Sequence, residues 1–85
     1  MIRDTEDGFR NIVFDVLKEN LKLSEILGND NFFELGGTSI QAIHVVCEIE
    51  ALSGVTIPVD FLFETDDLDA FIAAAVGFSL QTPTA

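Results

Sequence analysis

The chain of 85 residues sets fifteen acidic against four basic side chains, a formal charge of −11, on a composition that is 48 % hydrophobic. That length makes one small domain, and its charge repels phosphate backbones and anionic membranes, which excludes nucleic acid as a natural partner and favours a basic protein surface. The lone Cys47 rules out an intramolecular disulfide, no apolar run reaches the roughly 18 residues of a membrane span, and no signal-peptide core opens the chain, so a soluble, cytoplasmic module is expected.

Phe9, Ile12, Val13, Val16 and Leu17 fall at i, i+3, i+4, i+7 and i+8, the apolar stripe of a first helix of about four turns. Asp4, Glu6 and Asp7 stand at its start, where negative charge suits the helix dipole. Residues 23 to 37 then form a long connection with Gly28, Asn29, Asp30, Gly36 and Gly37 as turn formers. Loops of this length in compact domains are usually functional or disordered. Here Leu23, Ile26, Leu27, Phe32, Phe33 and Leu35 predict a loop pinned to the core. A buried Phe33 would cost about 3 to 5 kcal/mol if truncated to Ala.

Ala42, Val45, Val46 and Ile49 repeat the helical spacing in a second helix, which Gly54 should stop. Pro58 holds Ile57 extended. Asp60-Phe61-Leu62-Phe63 has room for about one turn of helix, its aromatics plugging the bundle. Leu68, Phe71, Ile72, Ala75 and Val76 mark the last helix, with Thr65-Asp66-Asp67 expected to cap it. The acidic group Glu64, Asp66, Asp67 and Asp69 lacks the glycine and terminal glutamate of a calcium loop and reads as acids at that helix start. The fold class is all-α, with residues 1–80 as the domain and 81–85 as a flexible tail.

Chemistry concentrates where the second helix begins. Thr38 and Gln41 have the spacing of a capping box, which makes Thr38 the N-cap and Ser39 the first helical residue. The Ser39 hydroxyl is then spared capping duty and faces outward beside free backbone N–H groups, a favourable place for a phosphodiester. Gly36 and Gly37 let the backbone bend and leave space for an approaching enzyme or prosthetic group. A hydrolase is excluded: His44 lies over a turn from Ser39, no Gly-x-Ser-x-Gly elbow exists, and no third group orients a base. His44 and Cys47 are two ligands and do not make a metal site. Ile40, Ile43 and Cys47 form a second apolar row on this helix, more than so small a bundle buries, and read as a docking surface edged by His44 and Glu48.

Asp30-Asn31-Phe32-Phe33-Glu34-Leu35-Gly36-Gly37-Thr38-Ser39-Ile40 resembles the Asp-x-Phe-Phe-x-x-Gly-Gly-x-Ser-[Leu/Ile] core of peptidyl carrier (thiolation) domains of nonribosomal peptide synthetases. These belong to the acyl carrier protein-like superfamily. The likeness spans roughly residues 8 to 77 and includes Ile57-Pro58-Val59 and Leu62-Phe63-Glu64. Fatty-acid and most polyketide carriers differ, usually with Asp-Ser-Leu at the serine. Thr38 stands where His or Asp is common, which puts partner preference in question, and Thr65-Asp66-Asp67 replaces the usual Pro-Thr start of the last helix.

The resemblance implies a four-helix acyl-carrier-like bundle with a long loop between helices 1 and 2 and a short third helix. It implies a carrier and not an enzyme. A phosphopantetheinyl transferase would place 4'-phosphopantetheine covalently on Ser39, framed by Gly36, Gly37 and Thr38. An adenylation enzyme or domain would load an amino acid or related acyl group as a thioester, for a downstream condensation or tailoring enzyme in natural-product, including antibiotic, biosynthesis. Partners of such domains contact the residues after the serine, here Ile40, Ile43, His44 and Cys47, and the domains are usually monomeric. The position of Met1 and the short tail lean toward a free-standing carrier. The alternative is an acidic all-α protein-docking module that is never modified.

Overall fold

The computed structural model describes residues 2–81, with side chains from 8 to 78. Among the described residues there are four helices and no strand: α1 (Ile2–Leu21), α2 (Ser39–Ser53), α3 (Asp60–Glu64) and α4 (Leu68–Gln81). The expected all-α bundle with a long first loop and a short third helix is what forms. No helix among these residues is long and apolar enough to cross a membrane. The side chains of Asp4, Glu6 and Asp7, and residues 82–85 of the expected tail, lie outside the described residues, while Gln81 ends α4.

The helical stripes become the core. From α1, Phe9, Val13, Val16 and Leu17 are buried, with Ile12 half-buried beside them. Ala42, Val45, Val46 and Ile49 are the buried residues of α2, and Leu68, Phe71, Ile72 and Ala75 those of α4. Fully burying one such large side chain stabilises by roughly 1.5–3 kcal/mol, so these three faces are what make a chain this short fold. α1 lies against both α2 and α4, and α3 packs on α4. Gly54 ends α2 in the left-handed region (φ 76°), its N–H donating to Glu50 O at 2.8 Å. Chain reversal is then fixed by the Glu50 carboxylate, which accepts from the Ile57 N–H at 2.6 Å.

Several aromatic assignments change. In α3 the plug is Leu62, which is 2 % exposed, whereas Phe61 is half-buried edge-on to Phe78 and Phe63 is 46 % exposed. A one-turn helix presents one residue inward, and Leu62 takes that place. The loop is pinned by Ile26 and Phe32, with Leu23, Phe33 and Leu35 half-buried at the core edge, but Leu27 faces solvent. Asp67, not Thr65, caps α4: its Oδ1 accepts from the Ala70 N–H at 2.8 Å, while the Thr65 hydroxyl donates back to Phe61 O at 2.7 Å.

The long loop is also tied to the start of α4 by backbone. Leu68 N–H donates to Asp30 O at 2.9 Å and Asp69 N–H to Gly28 O at 2.8 Å, so two amides that a helix start leaves unpaired are satisfied by the loop. The Asp69 carboxylate lies against Gly28, where a Cβ would collide with it, and pairs with Arg10 of α1 at 2.7 Å. Both side chains of that pair are about half exposed to solvent, so its contribution is small and its role is alignment.

Phe32 and not Phe33 is the ring the loop depends on. Phe32→Ala is expected to cost about 3 to 5 kcal/mol and Phe33→Ala less than about half of that, measured by urea denaturation. Equal losses would contradict this placement of the two rings.

Candidate functional site

The residues before the serine are wound into a series of tight turns. Asn31 Oδ1 accepts from the N–H of Phe33 at 2.8 Å and of Glu34 at 3.1 Å. Leu35 N–H reaches Asn31 O, Gly36 N–H reaches Phe33 O, and Gly37 N–H reaches Phe32 O, at 3.0–3.1 Å. Gly36 sits at φ +105°, a backbone region that side chains rarely adopt, with open space around it. Gly37 serves differently: a Cβ there would strike the Phe32 ring. The room it leaves is filled by the domain's own aromatic and not by an approaching group.

The capping box forms as its spacing predicts. Thr38 is extended (φ −114°, ψ 168°), its Oγ1 accepts from the Gln41 N–H at 3.2 Å, and its own N–H donates to Gln41 Oε1 at 3.1 Å. A helix start leaves four N–H groups without intrahelical partners, and the box satisfies those of Thr38 and Gln41. The N–H groups of Ser39 and Ile40 remain, and no acidic residue stands in the first turn to compensate them. Ser39 is exposed, and no described residue hydrogen-bonds its hydroxyl. A phosphodiester on that oxygen therefore meets open solvent, two donors and the positive end of the helix, so the residues present fit a 4'-phosphopantetheine group.

On the side of α2 opposite its buried face, Ile40 is 70 % exposed and Ile43 51 %, with His44 and Cys47 also exposed. The row stands in solvent and does not pack under the loop. Glu48, expected beside His44, turns instead to α1, where its Oε1 accepts from Asn20 Nδ2 at 3.1 Å. That amide is already aimed by a bond to Val16 O at 2.8 Å, which gives the carboxylate a fixed donor that the free His44 ring does not offer. Sequence reasoning missed the exposed Phe63. Its ring stacks on Phe33 at 5.2 Å, and Phe33 meets Phe32 edge-on at 5.0 Å, so α3 is joined to the serine turn through three aromatics. Three apolar residues on one helical turn are a signal that one of them stays outside.

Thr38→Ala removes the cap and is expected to lower stability by about 1 kcal/mol, with Thr38→Ser restoring most of it. Ser39→Ala should stay within ~0.5 kcal/mol of the parent. Urea denaturation of the three variants checks both, and a larger loss at Ser39 than at Thr38 would contradict the division of roles.

A protein-family profile described as "Phosphopantetheine attachment site" matches residues 8–75. The chain is 37 % identical over 67 residues to phosphinothricin tripeptide synthetase PhsB of Streptomyces viridochromogenes, covering 79 % of this chain and 6 % of that protein. It is 38 % identical over 72 residues to surfactin synthase subunit 1 of Bacillus subtilis, covering 85 % of this chain and 2 % of the relative. A linear gramicidin synthase of Brevibacillus parabrevis is 38 % identical over 70 residues, covering 82 % of this chain and 1 % of the relative. The chain thus spans a small fraction of the length of these relatives, and no solved structure gives a significant match. The profile runs from within α1 to within α4, across the serine turn, α2 and α3, and on that extent the chain belongs to the phosphopantetheine attachment site family.

Proposed function

We propose that this chain is a peptidyl carrier whose Ser39 hydroxyl holds 4'-phosphopantetheine and presents an amino acid or related acyl group to partner enzymes. The observation that carries the reading is an exposed, unpartnered serine hydroxyl at the first position of a capped helix, inside the matched family region. When attached, the arm supplies a terminal thiol on which an acyl group is held as a thioester. The chain's own part is address and orientation. Attachment forms a bond from Ser39 Oγ to the pantetheine-bearing phosphorus of coenzyme A and breaks that phosphorus's bond to the bridging oxygen of the pyrophosphate. Adenosine 3',5'-bisphosphate leaves, and the hydroxyl proton passes to a base of the transferase. Thr38, occupied by Gln41, holds the helix start still while Ser39 reacts.

Segments of a phosphinothricin tripeptide synthetase, a surfactin synthase and a linear gramicidin synthase resemble this chain, which supports a place in nonribosomal peptide or hybrid natural-product synthesis, antibiotics included. The partners in this reading are a phosphopantetheinyl transferase, an adenylation enzyme or domain, and a condensation or tailoring enzyme. Ile40, Ile43, His44 and Cys47 form the face offered to them, and the charge of −11 favours basic surfaces around it. A monomer acting in the cytoplasm completes the proposal.

Intact-protein mass spectrometry after incubation with coenzyme A and a broad-specificity phosphopantetheinyl transferase tests it. The expected result is a gain of one phosphopantetheinyl group, absent in Ser39→Ala. The modified form should also be more stable than the unmodified one by about 0.3 to 1 kcal/mol, because its phosphodiester meets the helix N-terminus. A well-folded protein that gains no mass would favour the unmodified docking module, acting through the Ile40, Ile43 and Cys47 row.

A further inference from the structure

No described residue hydrogen-bonds the Ser39 hydroxyl, so its position is set by the backbone on either side of it. After it lies α2. Before it lies the loop, anchored in the core by Ile26 and Phe32, and one polar side chain of that loop bonds both to the serine turn and to the corner before α4. Asn31 Nδ2 donates to Asp66 O at 2.8 Å, in the corner between α3 and α4, while Asn31 Oδ1 takes the N–H groups of Phe33 and Glu34. An amide both donates and accepts; a carboxylate of the same shape can only accept. On one side of Asn31, Asp30 O and Gly28 O take the first amides of α4. On the other, the turns through Leu35, Gly36 and Gly37 lead to the serine. Asn31 is therefore where the fixed part of the loop hands over to the serine turn.

We propose that Asn31 is a positioning residue for the modification of Ser39, a role that rests on the carrier reading. It touches neither the serine nor the arm. It acts by holding the turn through Gly37 in one conformation relative to the start of α4. If that turn samples other conformations, a transferase finds the productive one in only a fraction of molecules. Apparent affinity then weakens by the inverse of that fraction, while turnover of the bound complex is unchanged.

The test compares Asn31→Ala and Asn31→Asp with the unaltered protein. Amide hydrogen exchange is followed at Gly36 and Gly37, and steady-state transfer from coenzyme A is measured with a broad-specificity phosphopantetheinyl transferase. For Asn31→Ala the Gly36 and Gly37 amides should exchange at least about fivefold faster, with the interiors of α1 and α2 unaffected. KM for the carrier should rise by about the same factor, with kcat within about twofold. Asn31→Asp keeps the acceptor and loses the donor to Asp66 O, so it should fall between. Unchanged exchange at the two glycines would overturn the proposal. So would exchange that speeds equally throughout the helices, or a fall in kcat at constant KM. Failure of the unaltered protein to accept the arm would instead sink the carrier reading, and the exchange comparison would still decide whether Asn31 holds the turn.

Discussion

Phe32 is buried beneath the backbone of Gly37, two residues before a serine that must stay in solvent. The domain has to satisfy both conditions over a few residues: an aromatic anchored in the core, and a hydroxyl free at the surface. It does so with two glycines of different purpose. Gly37 has no side chain because the ring occupies its place, and Gly36 has none because the chain must pass through φ +105° to lift from the core. Adding a methyl group at either would displace the turn, and the start of α2 with it. The other contacts of the loop, from Asp30 and Gly28 to α4 and from Asn31 to Asp66, keep that arrangement in register.

Once the turn is fixed, the electrostatics of the helix start follow. The capping box uses the N–H groups of Thr38 and Gln41 and leaves those of Ser39 and Ile40, with no acidic residue in that first turn, although the chain as a whole carries −11. A small positive region thus stands at the serine within a strongly negative surface. α2 separates its two tasks by side. Ala42, Val45, Val46 and Ile49 close the core, while Ile40, Ile43 and Cys47 face solvent on the opposite side, close to the exposed serine.

Helical periodicity made most of the fold legible, because burial on one side of a helix imposes a spacing that survives without knowledge of neighbours. That is why the four buried residues of α2 could be read directly, and why Thr38 and Gln41 announced a cap that depends only on residues three apart. Gly54 as a stop is equally local. What was not legible depended on tertiary geometry. Phe32 and Phe33 are adjacent and chemically the same, and only the direction of the loop over the core makes the first buried and the second half-exposed. Leu62 rather than its flanking aromatics fills the gap at α3 because of how that single turn sits on α4. Glu48 meets Asn20 of α1, a residue 28 positions away, which no pattern along α2 could reveal.

At the site, the exposure of the Ser39 hydroxyl was legible because it results from a local cap. The exposed aromatic path from Phe63 to Phe33 and the double use of Asn31 were not, since each joins segments distant in sequence. The central claim is that Ser39 reacts because its neighbour Thr38, also a hydroxyl, is held in the cap. Fragmentation mass spectrometry of the modified protein tests this most directly by locating the phosphopantetheinyl group between two adjacent hydroxyl residues. The account predicts it on Ser39 alone. Its presence on Thr38, or on a serine elsewhere in the chain, would contradict the account.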